Sequence, residues 1–235
     1  MLPRARQTQS SQSNITTLLT RSSFFTRSDN FWYNTVMSIE RLTIQTGSFA
    51  VNTSILSRDG KAWIVDPGSE AERIVNLLAK KGLVPDAILL THAHFDHISA
   101  IPALEKSFPG IKTYVHANDR AVITHPMNQY PPEYPPVAMP TNLISDCPIA
   151  ECQVIETPGH TPGGVCYYFE AEKLLLAGDT LFAGSVGRTD LPGGDTATLM
   201  ASLKKIVELP DDTLVIPGHG PHTTIGAEKR TNPFL

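Results

Sequence analysis

The residues able to do chemistry cluster in four short loops. Thr91-His92-Ala93-His94-Phe95-Asp96-His97 holds three imidazoles and a carboxylate within seven positions. Thr157-Pro158-Gly159-His160-Thr161-Pro162-Gly163-Gly164 adds a histidine, and Ala177-Gly178-Asp179-Thr180-Leu181-Phe182 adds a carboxylate. Pro217-Gly218-His219-Gly220-Pro221 adds a fifth histidine. Imidazole and carboxylate are ligands for zinc and for iron. On an extended segment His92 and His94 can point the same way and hold one metal ion, while Asp96 and His97 project differently and can hold a second. Two side chains do not close a tetrahedral site. His160, Asp179 and His219 fit that need, and Gly159, Gly178, Gly218 and Gly220 beside them allow tight turns. A lone HxH is a weak signal. HxHxDH after an apolar run, with three later loops in the same strand-then-loop setting, is a strong one.

The elements that must position these loops are legible as well. Arg41–Thr46, Val51–Ser57 and Ala62–Val65 read as strands, with Arg58-Asp59-Gly60-Lys61 as turn chemistry. Ser69 is expected to cap a helix running to about Lys81, with Ile74, Leu77 and Leu78 on one face and Gly82 ending it. Ala87–Leu90 is a short apolar run, as in a strand covered on both faces. A second helix is expected from about Ile98 to Lys106, with Pro102 blurring its start. Lys112–Val115, Gln153–Glu156, Val165–Phe169, Lys173–Leu176 and Thr213–Ile216 read as strands; Thr196–Val207 and Thr224–Arg230 read as helices. Six prolines between 126 and 140 exclude a helix or central strand there. That loop carries Tyr130, Tyr134 and Met139, and is read either as a substrate-facing cap or as a subunit-contact or rigid surface loop. Strands in runs, punctuated by helices, predict two packed sheets with helices outside.

Composition bounds the function classes. The 235 residues are 41% hydrophobic and 18% charged, with a net charge of −4, the profile of a globular protein. No apolar stretch is long enough for a membrane helix. Residues 1–36 carry Arg4, Arg6, Arg21 and Arg27 against Asp29, a charge of +3 that leaves −7 on the rest. This Ser-, Thr- and Gln-rich leader reads either as an organellar transit peptide or as an over-extended start, with the folded domain spanning 37–235. The expected location is cytoplasmic, or mitochondrial or another organelle if the leader is a real transit peptide. An acidic body excludes a nucleic-acid binder. Three cysteines (Cys147, Cys152, Cys166) in no CxxC spacing exclude a disulfide scaffold and read as small apolar residues. His116, His125 and His222 read as cap or surface residues.

From about Ile39 to Leu235, the HxHxDH, TPGHTPG, GDTLF and PGHG motifs resemble the metallo-β-lactamase fold superfamily. The resemblance implies a four-layer αββα sandwich of two mixed β-sheets, with a dinuclear site at one edge. It implies that His92, His94 and His160 ligate one divalent metal ion, that Asp96, His97 and His219 ligate a second, and that Asp179 bridges. Zinc is the expected metal, with iron or manganese as alternatives. Asp66, in the Val-Asp-Pro-Gly turn, matches an early aspartate that supports the ligands; on its own it reads equally as a turn residue. Gly178-Asp179-Thr180-Leu181-Phe182 with Gly187-Arg188-Thr189-Asp190, and the ending Asn232-Pro233-Phe234-Leu235, resemble short glyoxalase II-like hydroxyacylglutathione hydrolases.

This implies a hydrolase acting on a small-molecule thioester, S-lactoylglutathione or a related hydroxyacyl thioester, with a metal-activated hydroxide as nucleophile and Asp96 orienting it. No nucleic acid or membrane partner is expected, and a homo-oligomer stays open. Two departures bear on the substrate. Only 16 residues follow His219, where typical glyoxalase II enzymes carry a glutathione-binding helical domain. Arg188 and Asp190 also stand where those enzymes have Lys and an aromatic residue. Arg188, Tyr130 and Tyr134 are the candidate substrate contacts. The alternative on this fold is a persulfide dioxygenase with one iron on His92, His160 and Asp179. A zinc β-lactamase usually has Cys in place of Asp179.

Overall fold

The computed structural model describes residues 38–128 and 134–235. The expectations for residues 1–36 and for Tyr130 lie outside the described residues. One sheet contains β1 (Glu40–Thr46), β2 (Val51–Arg58), β3 (Lys61–Val65), β4 (Val84–Leu89), β5 (Lys112–Val115) and β6 (Asn142–Leu143), in that order. β1, β2 and β3 pair antiparallel, and β3 through β6 pair parallel. The second sheet uses β7 (Gln153–Glu156), β8 (Val165–Phe169), β9 (Leu174–Gly178), β12 (Leu214–Pro217) and β13 (Thr223–Thr224), ordered β13-β12-β9-β8-β7. A two-stranded ribbon, β10 (Leu181–Phe182) with β11 (Ser185–Val186), follows β9.

Side-chain alternation along the strands sorts the core into layers. Trp63, Val65, Ala87 and Leu89 of the first sheet meet Val165, Tyr167, Phe169 and Leu176 of the second. Their neighbours Ala62, Ile64, Ile88 and Leu90 face the other way, onto helices α1 (Ala71–Lys81) and α3 (Ile101–Ser107). On the far side, Cys166, Tyr168, Leu175 and Val215 pack against α5 (Thr196–Ile206) and α6 (Ile225–Thr231). This is the expected four-layer sandwich. Each fully buried Leu or Ile contributes on the order of 1.5–3 kcal/mol, so three apolar layers supply the main driving force.

Several local expectations are corrected. Ser69 does not cap α1. Glu70 does, in the left-handed region (φ 54°) and without a side-chain cap bond, because its carboxylate instead accepts from Gly47 N at 3.1 Å. The expected 98–106 helix is two pieces, α2 (Phe95–Ile98) and α3. Pro102 sits in the first turn of α3, where a missing N–H costs no hydrogen bond. Leu77 is only half-buried, whereas Ile74 and Leu78 are buried. Past β5, α4 (Arg120–Ile123) completes the set of α-helices among the described residues, and Pro126–Asn128 forms a short 3-10 turn in the proline-rich stretch where no helix was expected.

Candidate metal centre

The chemistry-bearing loops leave the sheets from the same ends of their strands. Asp66 follows β3, residues 90–97 follow β4, His160 follows β7, Asp179 follows β9, and His219 follows β12. β3 and β4 are parallel, as are β9 and β12, and β7 and β9 both run antiparallel to β8. Parallel strands deliver their C-terminal loops to one edge. The two sheets are tied there by Val165 N donating to Thr91 O (2.8 Å), Asn52 N to Gly218 O (2.7 Å) and the Tyr167 hydroxyl to Leu90 O (2.6 Å). Gly218 is needed for the close approach. A Cβ there would lie 2.1 Å from Asp179 Oδ1 and 2.8 Å from His97 Cε1.

All seven sequence-predicted metal ligands converge. The donor atoms of His92, His94 and His160 form one group within 4.8 Å of one another, and those of Asp96, His97 and His219 form another. Asp179 stands between them. Its Oδ2 is 3.5 Å from His160 Nε2, 3.6 Å from His219 Nε2 and 4.0 Å from His92 Nε2, and its Oδ1 is 3.5 Å from His97 Nε2. Asp96 Oδ2 is 3.3 Å from His219 Nε2 and 3.8 Å from His97 Nε2.

The outward hydrogen bonds show whether these residues suit a cation. His97 Nδ1 donates to Asp66 Oδ2 (3.1 Å), His160 Nδ1 to Arg188 O (2.7 Å) and His219 Nδ1 to Phe49 O (2.8 Å). With those protons outward, His97 and His219 turn their Nε2 atoms toward each other at 3.2 Å. Such a pair repels unless a proton or a metal ion lies against it. His92 Nε2 and Asp179 Oδ1 are buried with no hydrogen-bond partner among the described residues. Buried polar atoms are seldom left so. An inward-facing set of imidazoles and carboxylates with fixed outer partners fits a pair of divalent cations.

Electrostatics point the same way. Burial, reinforced by neighbouring imidazoles, holds His92 well below the ordinary histidine range and His94 down at about 3, so both are neutral donors. Burial also opposes protonation of His97, but Asp179, Asp96 and Asp66 outweigh it and raise it to about 10. Burial disfavours charge on Asp96, yet His97 and the hydrogen bond to His219 bring it to about 2. The carboxylates call for positive charge at this spot.

Asp66 is not merely a turn residue. It is buried, in the left-handed region (φ 49°), and its Oδ1 accepts from Thr91 N (2.8 Å). Its Oδ2 accepts from the Thr91 hydroxyl (2.6 Å) and from His97 Nδ1. Its oxygens are committed to aiming His97 and Thr91. Sequence reasoning missed two further residues that hold the site. Asp119 accepts from Ala93 N (2.9 Å), and Asn128 accepts from Phe95 N (3.0 Å) and donates to Ala93 O (2.5 Å). Neither lies in a histidine loop. The one available signal was an Asp shortly after an apolar strand, β5.

A cavity of about 420 Å³ opens over the cluster, lined by Phe49, Phe95, Phe182, Val186, Arg188 and Leu191 beside the ligand residues. A second cavity of about 370 Å³, mostly apolar, shares His94, Phe95, Arg188 and Leu191 with it and reaches His125 and Met127. Arg188 therefore lines both cavities. However, Asp190 already takes one edge of its guanidinium, at 2.7 Å from Nε and 2.7 Å from Nη2. Tyr134 lines neither cavity. It is buried behind Phe49 and Phe95, with ring centroids 5.9 and 4.7 Å away, and its hydroxyl meets Ser48 Oγ at 2.8 Å. His116 accepts from Asn118 N, and His222 is exposed. Cys166 is buried, whereas Cys147 and Cys152 are half-buried against the inter-sheet core. No described helix is long and apolar enough to cross a membrane.

Comparison with known proteins agrees with this geometry. The metallo-beta-lactamase superfamily profile matches residues 46–219. The hydroxyacylglutathione hydrolase GloC of Haemophilus influenzae is 35% identical over 215 residues, covering 85% of this chain and 98% of its own. Among solved structures, BLEG-1, a B3 metallo-beta-lactamase, superposes with a TM-score of 0.77 at 40% identity, over 83% of this chain and 99% of its own. TTHA1623 in a di-iron-bound form gives 0.74 at 39% identity, over 83% and 100%. The chain belongs to the metallo-beta-lactamase superfamily, as one of its metallo-hydrolases.

Proposed function

We propose that this chain is a thioester hydrolase of glyoxalase II type, cleaving S-lactoylglutathione or a related hydroxyacyl thioester. His92, His94 and His160 would hold one metal ion and Asp96, His97 and His219 the other, with Asp179 shared. When bound, the two ions supply Lewis acidity, acidifying water and polarising the ester carbonyl. Asp96 lines the cavity, charged at neutral pH, and would orient the attacking water by accepting its hydrogen bond. Phe49, Phe95 and Phe182 restrict bulk water above it.

One observation carries the choice of thioester. Among the described residues lining the cavity over the cluster, every carboxylate and imidazole is a member of the candidate metal set, and Arg188 is held by Asp190. Among those described residues, no separate acid is left to protonate a poor leaving group. A thiol, with an ordinary pKa near ~8.5, leaves as thiolate without one. An amine leaving from an amide or lactam is a much poorer leaving group and would draw its proton from metal-acidified water.

The test is turnover by the purified full-length chain, reconstituted in turn with zinc, iron and manganese. The assay compares S-lactoylglutathione with a chromogenic β-lactam and with glutathione persulfide under oxygen electrodes. Thioester turnover well above the other two is expected. Preferential β-lactam opening, or oxygen uptake with one iron per chain, would replace this reading.

A further inference from the structure

One buried carboxylate touches two of the metal-binding loops at once. Asp119 lies just after β5, outside every histidine loop, and is fully buried. Its Oδ2 accepts from Ala93 N, the peptide between His92 and His94, at 2.9 Å. The same oxygen accepts from the hydroxyl of Thr161, the residue after His160, at 2.8 Å. Its Oδ1 accepts from Gly163 N at 2.5 Å. All three donors belong to the loops that supply His92, His94 and His160.

The packing leaves no slack. A Cβ on Gly163 would lie 2.6 Å from Asp119 N and 2.8 Å from its Oδ1, so this loop meets the carboxylate through bare backbone. The Asn128 side-chain amide donates to the Ala93 carbonyl oxygen on the other side of that residue. The segment carrying two imidazoles is thus gripped at both polar groups of its central residue.

We propose that Asp119 is a positioning residue that sets His92 and His94 in register with His160, and so fixes the affinity of that three-imidazole site. The inference rests on the metal-site reading above. A buried carboxylate facing three donors could also serve only the fold, but a fold role alone would not single out one metal site. The loop holding Ala93 runs on to Asp96 and His97, but the described contacts of the carboxylate stop at Ala93 N, between His92 and His94, and its other two donors closely follow His160.

Asp119→Asn is the direct probe. An amide has one acceptor oxygen, so its NH2 group must face a backbone N–H or the Thr161 hydroxyl. Thr161→Val is the milder second variant and removes one donor while keeping the carboxylate. The readouts are metal stoichiometry and affinity by chelator competition, the d–d spectrum of the cobalt-substituted full-length chain, and melting of the metal-free protein. In Asp119→Asn we expect one of the two ions to bind about 10- to 100-fold more weakly, with the other unchanged and the cobalt spectrum of a single site altered. Thr161→Val should show the same selective loss to a smaller degree. Two equal affinities in both variants, or loss of both ions in parallel with melting, would overturn the proposal. If wild-type protein binds no metal at all, the site reading itself fails, which is a separate outcome.

Discussion

At the scale of single residues, charge pairing separates what binds metal from what meets substrate. Three of the candidate ligands turn Nε2 inward because other groups take their Nδ1 atoms: Phe49 O, Arg188 O and Asp66 aim His219, His160 and His97. Arg188 shows the opposite arrangement. Its backbone serves His160 while its exposed side chain is held by Asp190. A thioester whose thiol carries carboxylates therefore meets a neutral pair, not a cation. Asp190→Ala should free the guanidinium to engage such a substrate. We expect KM for S-lactoylglutathione to fall about two- to five-fold, the scale of one exposed ion pair, with kcat and the KM for a neutral N-acetylcysteamine thioester unchanged. A higher KM for the glutathione ester would mean that Asp190 itself helps to bind it. The same scale explains why Asp66 and Asp119 were hard to read. A turn aspartate and a buried, triply hydrogen-bonded one are the same letter, and only their distant partners, Thr91 and His97 or Ala93 and Gly163, tell them apart.

At the scale of elements, the strands that bury apolar side chains were legible and the small ones were not. Lys112–Val115, Gln153–Glu156 and Val165–Phe169 stand where their patterns put them. β6, β10, β11 and β13 have two residues each, too few to show a period. Glu70 took the cap of α1 because the chain turns through a left-handed residue there, a conformation that sequence alone does not announce. The metal loops were legible because their spacing is chemical rather than periodic. Their relative placement depends on sheet-to-sheet ties that leave no motif. The Tyr167 hydroxyl is one such tie, fully buried on β8 and donating to Leu90 O just before Thr91. Tyr167→Phe keeps the ring packing and removes only that donor. Leaving the Leu90 carbonyl without it costs about 1–2 kcal/mol, a fall of roughly 2–8 °C in Tm for a chain of this size. Thermal melting with metal analysis checks this. An unchanged Tm would mean that the inter-sheet core alone sets the edge.

At the scale of the whole molecule, the two sheets share one apolar core and one polar centre, and the two contribute differently. The core, with Trp63, Leu89, Tyr167 and Phe169 at its heart, contains no candidate ligand, so the sandwich is expected to form without metal. The centre draws His92, His94, Asp96 and His97 from loops of the first sheet, and His160, Asp179 and His219 from loops of the second. Ions bound there cross-link the sheets at the edge where Asn52 and Val165 already join them. Without ions, that edge keeps clustered imidazoles and carboxylates, and an Asp179 oxygen with no hydrogen-bond partner among the described residues. Metal binding to the folded state alone adds stability by mass action. Each site adds about 3–4 kcal/mol when free metal exceeds its Kd by 100- to 1,000-fold. Chelation of the purified protein should therefore lower Tm by about 5 °C or more, with the far-UV circular dichroism retained, and added metal should restore it. A Tm indifferent to chelator would show that the cluster holds no ion in the folded protein. Loss of the circular dichroism would show that the sandwich itself, and not only its edge, depends on the metal.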